Sequence, residues 1–205
     1  MMVSTVVLSQ EGPEFLHHLG RTFLRVMRAP LRWVLWDVKD TLLKVRSSVG
    51  EQYCKEAQRM GLSLSPVEVD AAFRQVFPDS KKALESCSSL GLKLGVVSNF
   101  DNRLEAILHV CGLLSYFSFL ITSEEAGVAK PSPAIFSQAL QKCGVPADRV
   151  AHIGDHYVND YLTSRSMGIH GFLLDRHKDG QLDVPREHRL SSLDELPSRL
   201  QQHMN

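Results

Sequence analysis

Residues 33–36, Trp-Val-Leu-Trp, form an apolar block that stops at Asp37, and the polar residues Lys39, Asp40 and Thr41 follow at once. Four large apolar side chains with no polar member suit a strand buried on both faces. Strands of that kind belong to parallel sheets covered by helices, so the block directs the chain towards an α/β fold. In an open α/β sheet, ligands sit at the carboxyl ends of the strands, which puts Asp37 where chemistry is done. The same aspartate also suits a plain turn cap, because Asp side chains bond nearby backbone groups at strand ends. The rest of the chain bears on that choice.

Four further apolar runs follow: 93–99 ending in Ser98 and Asn99, 117–123 ending in Thr122 and Ser123, 149–155 ending in Asp155, and 169–175. Helical patterns separate them at 80–90, 102–114, 134–143 and 157–167, and Gly91, Gly144 and Gly168 stand at helix-ending positions. Strand and helix in alternation mean βαβ units and a parallel sheet with helices on both faces. Two more helices are predicted at 48–61, opened by Ser47 or Ser48, and at 65–77, with Ser65 as cap and Pro66 at the first position. Pro78 ends the second. Residues 176–190 read as a polar loop and 191–205 as a weak final helix.

Composition narrows the function class. Lys plus Arg equal Asp plus Glu at 23 each, so nothing points to nucleic acid or to a membrane surface as partner. No apolar stretch approaches the roughly 20 residues of a membrane span. Cys54, Cys87, Cys111 and Cys143 form no C-x-x-C pair, which fits reduced thiols in an intracellular protein, cytoplasmic or nuclear. Residues 1–30 read as an N-terminal extension. Arg21, Arg25, Arg28 and Arg32 recur at helical spacing with no acid from Phe15 to Arg32, which fits a mitochondrial transit segment. Glu11 and Glu14 favour instead a plain basic helix or arm. Neither G-x-G-x-x-G nor a Walker A pattern occurs, so dinucleotide and P-loop chemistry have no support.

Polar residues thus recur at successive strand ends: Asp37 with Thr41, Ser98 with Asn99, Lys130 soon after the third strand, and Asp155 with Asp160 after the fourth. Two carboxylates from neighbouring strands make a hard-oxygen site suited to Mg²⁺. Hydroxyls, backbone N–H groups and a lysine suit the oxygens of a phosphoryl group. A carboxylate also serves as a nucleophile.

In order and context the set resembles the haloacid dehalogenase (HAD) superfamily. DVKDT at 37–41 lies on its first motif, Ser98 in VVSN on the second, Lys130 in KPSPAIF on the third, and Gly154, Asp155 and Asp160 in GDHYVND on the fourth. The resemblance implies a Rossmann-like core with a five-stranded parallel sheet in the order 3-2-1-4-5 and Asp37 on the central strand. It implies Asp37 as nucleophile with Lys130 beside it, and phosphate binding by Thr41, Ser98, Asn99 and Lys130. It implies Mg²⁺ held by Asp37, the Lys39 backbone carbonyl and Asp155, with Asn159 and Asp160 supporting from behind. The substrate would be a small phosphorylated or other small molecule. The core would comprise 31–46 and 79–205, with 47–78 as a truncated helical cap. His152 and His156 lack a partner at ligand spacing and read as packing residues.

Three positions depart from the family pattern. Phosphatase members carry an acid/base Asp two residues after the nucleophile, where this chain has Lys39, which could pair with Asp37 and compete with Mg²⁺. Asp40 stands where the family usually has Gly. Thr163 and Ser164 replace small residues, which would loosen the approach of their helix. The insert between Thr41 and Ser98 is also short for a helical cap. Two readings follow: a phosphatase-like hydrolase with weak activity, or a catalytically inactive HAD-fold binding or scaffold protein. Dehalogenation of a small acid has no distinct halide pocket in its favour.

Overall fold

The computed structural model describes residues 30–45, 59, 61, 74–177 and 183–204. The N-terminal extension and nearly all of the two helices expected in the insert lie outside these residues. The core is one parallel sheet of β1 (Trp33–Trp36), β4 (Lys93–Ser98), β5 (Phe119–Thr122), β6 (Val150–Gly154), β7 (His170–Leu174) and β8 (Arg189–Leu190). Its order is β5-β4-β1-β6-β7-β8, which is the expected 3-2-1-4-5 sheet with one short strand added at the edge. That strand falls in the stretch expected to be a loop. Its two residues pair with Leu173 and Leu174, too short a segment to leave a periodic signature.

The all-buried pattern of β1, β4 and β6 follows from their central place. Alternate residues point to opposite faces. Val34, Trp36, Leu94, Val96, Ala151 and Ile153 join one apolar cluster. It is covered by α1 (Ser80–Ser89) through Leu84, α2 (Leu104–Val110) through Ile107, and the last helix through Leu196 and Leu200. Trp33, Leu35, Val97, Ile121 and Val150 join the other cluster. There α4 (Pro133–Cys143) contributes Ile135, Phe136 and Ala139. Between β5 and α4, Ser123–Ala126 forms the one-turn α3. Ser132 caps α4 with Pro133 in its first turn, and Gly144 ends it in the left-handed region at φ 64°.

Arg74–Val76, expected inside a helix, is instead β3, antiparallel to β2 (Leu43–Val45). The helical pattern of 65–77 is lost at its end because Arg74–Val76 find ladder partners just after the turn that follows Asp37. Both strands lie outside the main sheet. The expected helix at 157–167 is a π-helical segment, Tyr157–Leu162, continued by α5 (Thr163–Ser166). The final helix is short, α6 (Leu196–Gln201), after a 3₁₀ turn at Leu193–Glu195. No helix among the described residues is long and apolar enough to cross a membrane.

Candidate active site

Parallel register sets three strand ends side by side. Trp36 lies opposite Val96 of β4 and Ile153 of β6, so the residues just beyond converge on one edge. The Asp37 N–H donates to the Ile153 carbonyl at 2.9 Å, which extends the ladder by one step and fixes the aspartate backbone. Its side chain is buried, at 6% exposure. Oδ1 accepts from Lys130 Nζ at 2.7 Å and from Ser98 Oγ at 3.2 Å, and Oδ2 lies 3.3 Å from Thr41 Oγ1.

The loop after Asp37 is a tight turn in which the Val38 carbonyl accepts from the N–H groups of Leu42 and Leu43, both at 2.9 Å. Asp40 stands in the left-handed region at φ 58°. Aspartate tolerates that conformation better than most residues other than glycine, so the fold survives the departure at this position. The turn brings Thr41 Oγ1 to 3.4 Å from Asp155 Oδ1 as well, so one hydroxyl lies between the two carboxylates. The Thr41 carbonyl in turn accepts from the Arg176 guanidinium at 2.9 Å. That guanidinium also makes two bonds to Asp79 and lies 3.9 Å over the Phe77 ring.

Lys130 arrives on the loop before α4. Asn99 holds its backbone from both sides: the Asn99 amide donates to the Lys130 carbonyl at 2.8 Å and accepts from the Lys130 N–H at 2.7 Å. The Asn99 side chain therefore positions Lys130. The ammonium uses all three hydrogens, on Asp37 Oδ1, on Asp160 Oδ1 at 2.7 Å and on the Val97 carbonyl at 2.9 Å. Burial opposes its charge, but Asp37 and Asp160 outweigh burial and hold its pKa above the ordinary lysine value.

Asp160 packs directly on the backbone of β6. A Cβ at position 154 would lie 2.2 Å from Asp160 Cγ, so only glycine fits there. Asp160 Oδ2 accepts from the His156 N–H at 3.1 Å, and Oδ1 is shared between Lys130 and His152 Nε2, the latter at 3.0 Å. Burial works against the Asp160 charge, yet Lys130 and His152 more than offset it and hold the carboxyl well below the usual range. Asp155 is exposed at the mouth. Partial burial and the charges of Asp37, Asp160 and Asp40 push its carboxyl up to about 7. Burial likewise raises Asp37, although Lys130 pulls the other way.

These residues fit a divalent cation. Carboxylate oxygens of Asp37, Asp155 and Asp160 lie within 4.8 Å of one another. Asp160 is committed to Lys130, which leaves Asp37 and Asp155 as the converging pair. Two adjacent carboxyls both raised above their ordinary values are what a hard dication between them relieves.

The remaining expected positions fall at the rim. Lys39 lines the cleft with Asp37, Asn99, His156 and Asn159, but its side chain is 59% exposed and its nearest acid is Asp40, at 4.0 Å. The ion partner of Asp37 is Lys130, so the expected competition between Lys39 and a metal at Asp37 is not what the geometry arranges. Asn159 reaches the cleft and donates its N–H to His156 Nδ1 at 3.2 Å. Thr163 and Ser164 do not loosen their helix: both are buried. Thr163 Oγ1 donates to the Val158 carbonyl at 2.7 Å and Ser164 Oγ to the Tyr161 carbonyl at 3.1 Å. Gly171 makes the room, since a Cβ there would lie 2.5 Å from Ser164 Oγ.

Sequence reasoning missed His152, read as packing, and the Asp79–Arg176 pair. A histidine inside an otherwise apolar strand, in phase with Gly154, was the available signal for the first. The second joins positions 97 residues apart and left no local pattern.

A family model for haloacid dehalogenase-like hydrolases matches residues 62–168. Haloacid dehalogenase-like hydrolase domain-containing protein 3 of Danio rerio is 53% identical over 239 aligned positions, covering 85% of this chain and 98% of that protein. The Homo sapiens protein of the same name is 32% identical over 236 positions, covering 82% and 93%. A crystal structure of a HAD phosphatase from Thermococcus onnurineus superposes with a TM-score of 0.71 at 23% identity, over 83% of this chain and 98% of that one. The chain belongs to the haloacid dehalogenase-like hydrolase family. Since 85% of 205 residues is about 174, about 65 positions of the alignment with the Danio rerio protein have no residue in this chain.

Proposed function

We propose that the chain is a Mg²⁺-dependent, phosphatase-like hydrolase of small phosphorylated molecules, with Asp37 as nucleophile. The observation that carries this reading is the convergence of Lys130, Ser98 and Thr41 on the two oxygens of one buried carboxylate. An oxygen of Asp37 attacks phosphorus, and the bond to the leaving oxygen breaks. Water then attacks the aspartyl-phosphate, returning Asp37 and releasing inorganic phosphate. Lys130 orients Asp37 and offers positive charge to the phosphoryl oxygens. Ser98 and Thr41 offer hydroxyl donors, and Asn99 contributes through the Lys130 backbone it holds. Asp37, Asp155 and the Lys39 carbonyl would hold Mg²⁺, with Asn159 and Asp160 behind them. The ion supplies neutralisation of phosphoryl charge when bound.

Lys39 occupies the position from which an acid would protonate the leaving oxygen. Its exposed ammonium is poorly placed for that step, so turnover is weak and favours leaving groups that depart without a proton. The same observation favours a second reading, a catalytically inactive binding protein of this fold. The β2–β3 pair, at the two ends of the segment, supports treating 47–78 as a reduced cap. Cys87 and Cys143 are buried free thiols whose pKa burial pushes up to about 12, in keeping with an intracellular protein in which cysteines stay reduced. Hydrolysis of p-nitrophenyl phosphate with Mg²⁺, compared between wild type and Asp37→Asn, tests the reading. Turnover that vanishes in the variant supports it, and an inert wild type leaves the binding-protein reading.

A further inference from the structure

We propose that His152 is a positioning residue: its Nε2–H is donated to Asp160 Oδ1 and fixes the carboxylate that holds Lys130 against Asp37. This deepens the reading of Asp37 and Lys130 as the reacting pair and rests on it. His152 is fully buried in β6, on the face that α4 covers, with its ring edge-on to Phe136 at 4.8 Å. Its Nε2 lies 3.0 Å from Asp160 Oδ1. Both Asp160 oxygens already accept, Oδ1 from Lys130 Nζ and Oδ2 from the His156 N–H, so the hydrogen on this contact belongs to the imidazole. Nδ1 has no partner among the described residues. A hydrogen there would be a buried donor without an acceptor, whereas a bare lone pair is the less costly orphan. The ring therefore carries its hydrogen on Nε2.

A packing residue at this position has no need of nitrogen. Neighbouring β6 positions are filled by Val150, Ala151 and Ile153, and an aliphatic side chain would bury at lower cost than an imidazole with an unmatched nitrogen. What the imidazole adds is a second donor to Asp160 Oδ1, opposite Lys130. Lys130 is shared between two carboxylates at the same 2.7 Å. Without His152, Asp160 Oδ1 keeps only the ammonium, draws it closer and loosens its hold on Asp37. With His152 and the His156 N–H in place, Asp160 is pinned by three donors and the ammonium stays between the two acids.

The test uses His152→Leu, which fills the space without a donor, and His152→Gln, whose amide reaches about where Nε2 lies. Two readouts are taken on each full-length protein. The first is free of turnover: ¹⁵N NMR should find the wild-type His152 hydrogen on Nε2, and the Lys130 ammonium protons protected from exchange in wild type and His152→Gln but not in His152→Leu. The second is kcat against KM for p-nitrophenyl phosphate with Mg²⁺. His152→Leu should lose roughly tenfold or more in kcat with KM little changed, as expected when a catalytic group is slightly misplaced. His152→Gln should recover most of that loss. A hydrogen on Nδ1, protected Lys130 protons in His152→Leu, or equal kcat in both variants overturns the proposal. If the wild type turns nothing over, the phosphatase reading fails by itself and the NMR arm alone judges the tether.

Discussion

Lys130 Nζ stands 2.7 Å from Asp37 Oδ1 with both side chains buried. The cation two residues from Asp37 in sequence, Lys39, is exposed and faces Asp40 instead. The site thus separates two lysines by role: one inside, fixed by three acceptors, and one at the mouth. Loss of the inner lysine leaves Asp37 and Asp160 buried without their counter-charge. Lys130→Met should therefore destabilise the fold by about 3–5 kcal/mol, the usual cost of orphaning a buried ion partner. Asp37→Asn leaves Lys130 paired with Asp160 and should cost much less. Urea unfolding of the two variants checks the order.

Lys39→Asp places a carboxyl where the family's phosphatases carry their acid/base. Turnover of an alkyl phosphate should rise by about 10² or more, the range for restoring a general acid–base group. The substitution also adds a carboxylate to the cleft that Asp37 and Asp155 line, so Mg²⁺ should bind more tightly. Alkyl-phosphate kinetics and Mg²⁺ titration of both proteins decide it. Unchanged kinetics would place the defect in the shortened insert.

Asp155 gives the site a pH dependence. Its folded carboxyl is raised from 3.8 to about 7, so between those values the folded metal-free protein binds more protons than the unfolded chain. This contribution therefore lowers stability as pH rises from about 4 to 7, by an amount that solvent at this exposed group moderates. Mg²⁺ must displace the proton, so its affinity should fall about tenfold for each pH unit below 7. The rise in Tm on adding Mg²⁺ should be larger at pH 8 than at pH 5.5. A pH-independent increment would contradict metal binding at Asp155.

Gly154→Ala is a small change in the wrong place. The added carbon meets Asp160 Cγ at 2.2 Å, and Asp160 cannot retreat without leaving Lys130 and His152. A loss of about 1–3 kcal/mol in stability is expected from the overpacking, with a larger relative loss of activity. Thermal melts and p-nitrophenyl phosphate assays on one preparation separate the two effects.

Most of this site was legible in the chain because it is built at strand ends. An apolar run that stops at Asp37, Ser98 or Asp155 names both the strand and the residue it delivers, and parallel register does the rest. The alternation of strands and helices likewise announced a parallel sheet, and its order followed from the resemblance to the HAD superfamily. What escaped was short or non-local. Leu43–Val45 and Arg74–Val76 are three residues each, with Lys44, Arg74 and Gln75 obscuring any β pattern, and they pair across the insert. Asn99 stands beside a strand end, but nothing near it in sequence reveals that its amide bonds the backbone of Lys130, 31 residues on. His152 read as packing because nothing near it in sequence reveals that Asp160 folds back onto its ring.

In the proposed reaction Asp37 itself takes the phosphoryl group. Incubation with Mg²⁺ and an activated phosphate donor, an acid quench and peptide mass spectrometry test it directly. The predicted result is one acid-stable, hydroxylamine-sensitive phosphoryl group on Asp37, absent from Asp37→Asn. Turnover that survives in Asp37→Asn, or a phosphoryl group found on any other residue, would contradict it.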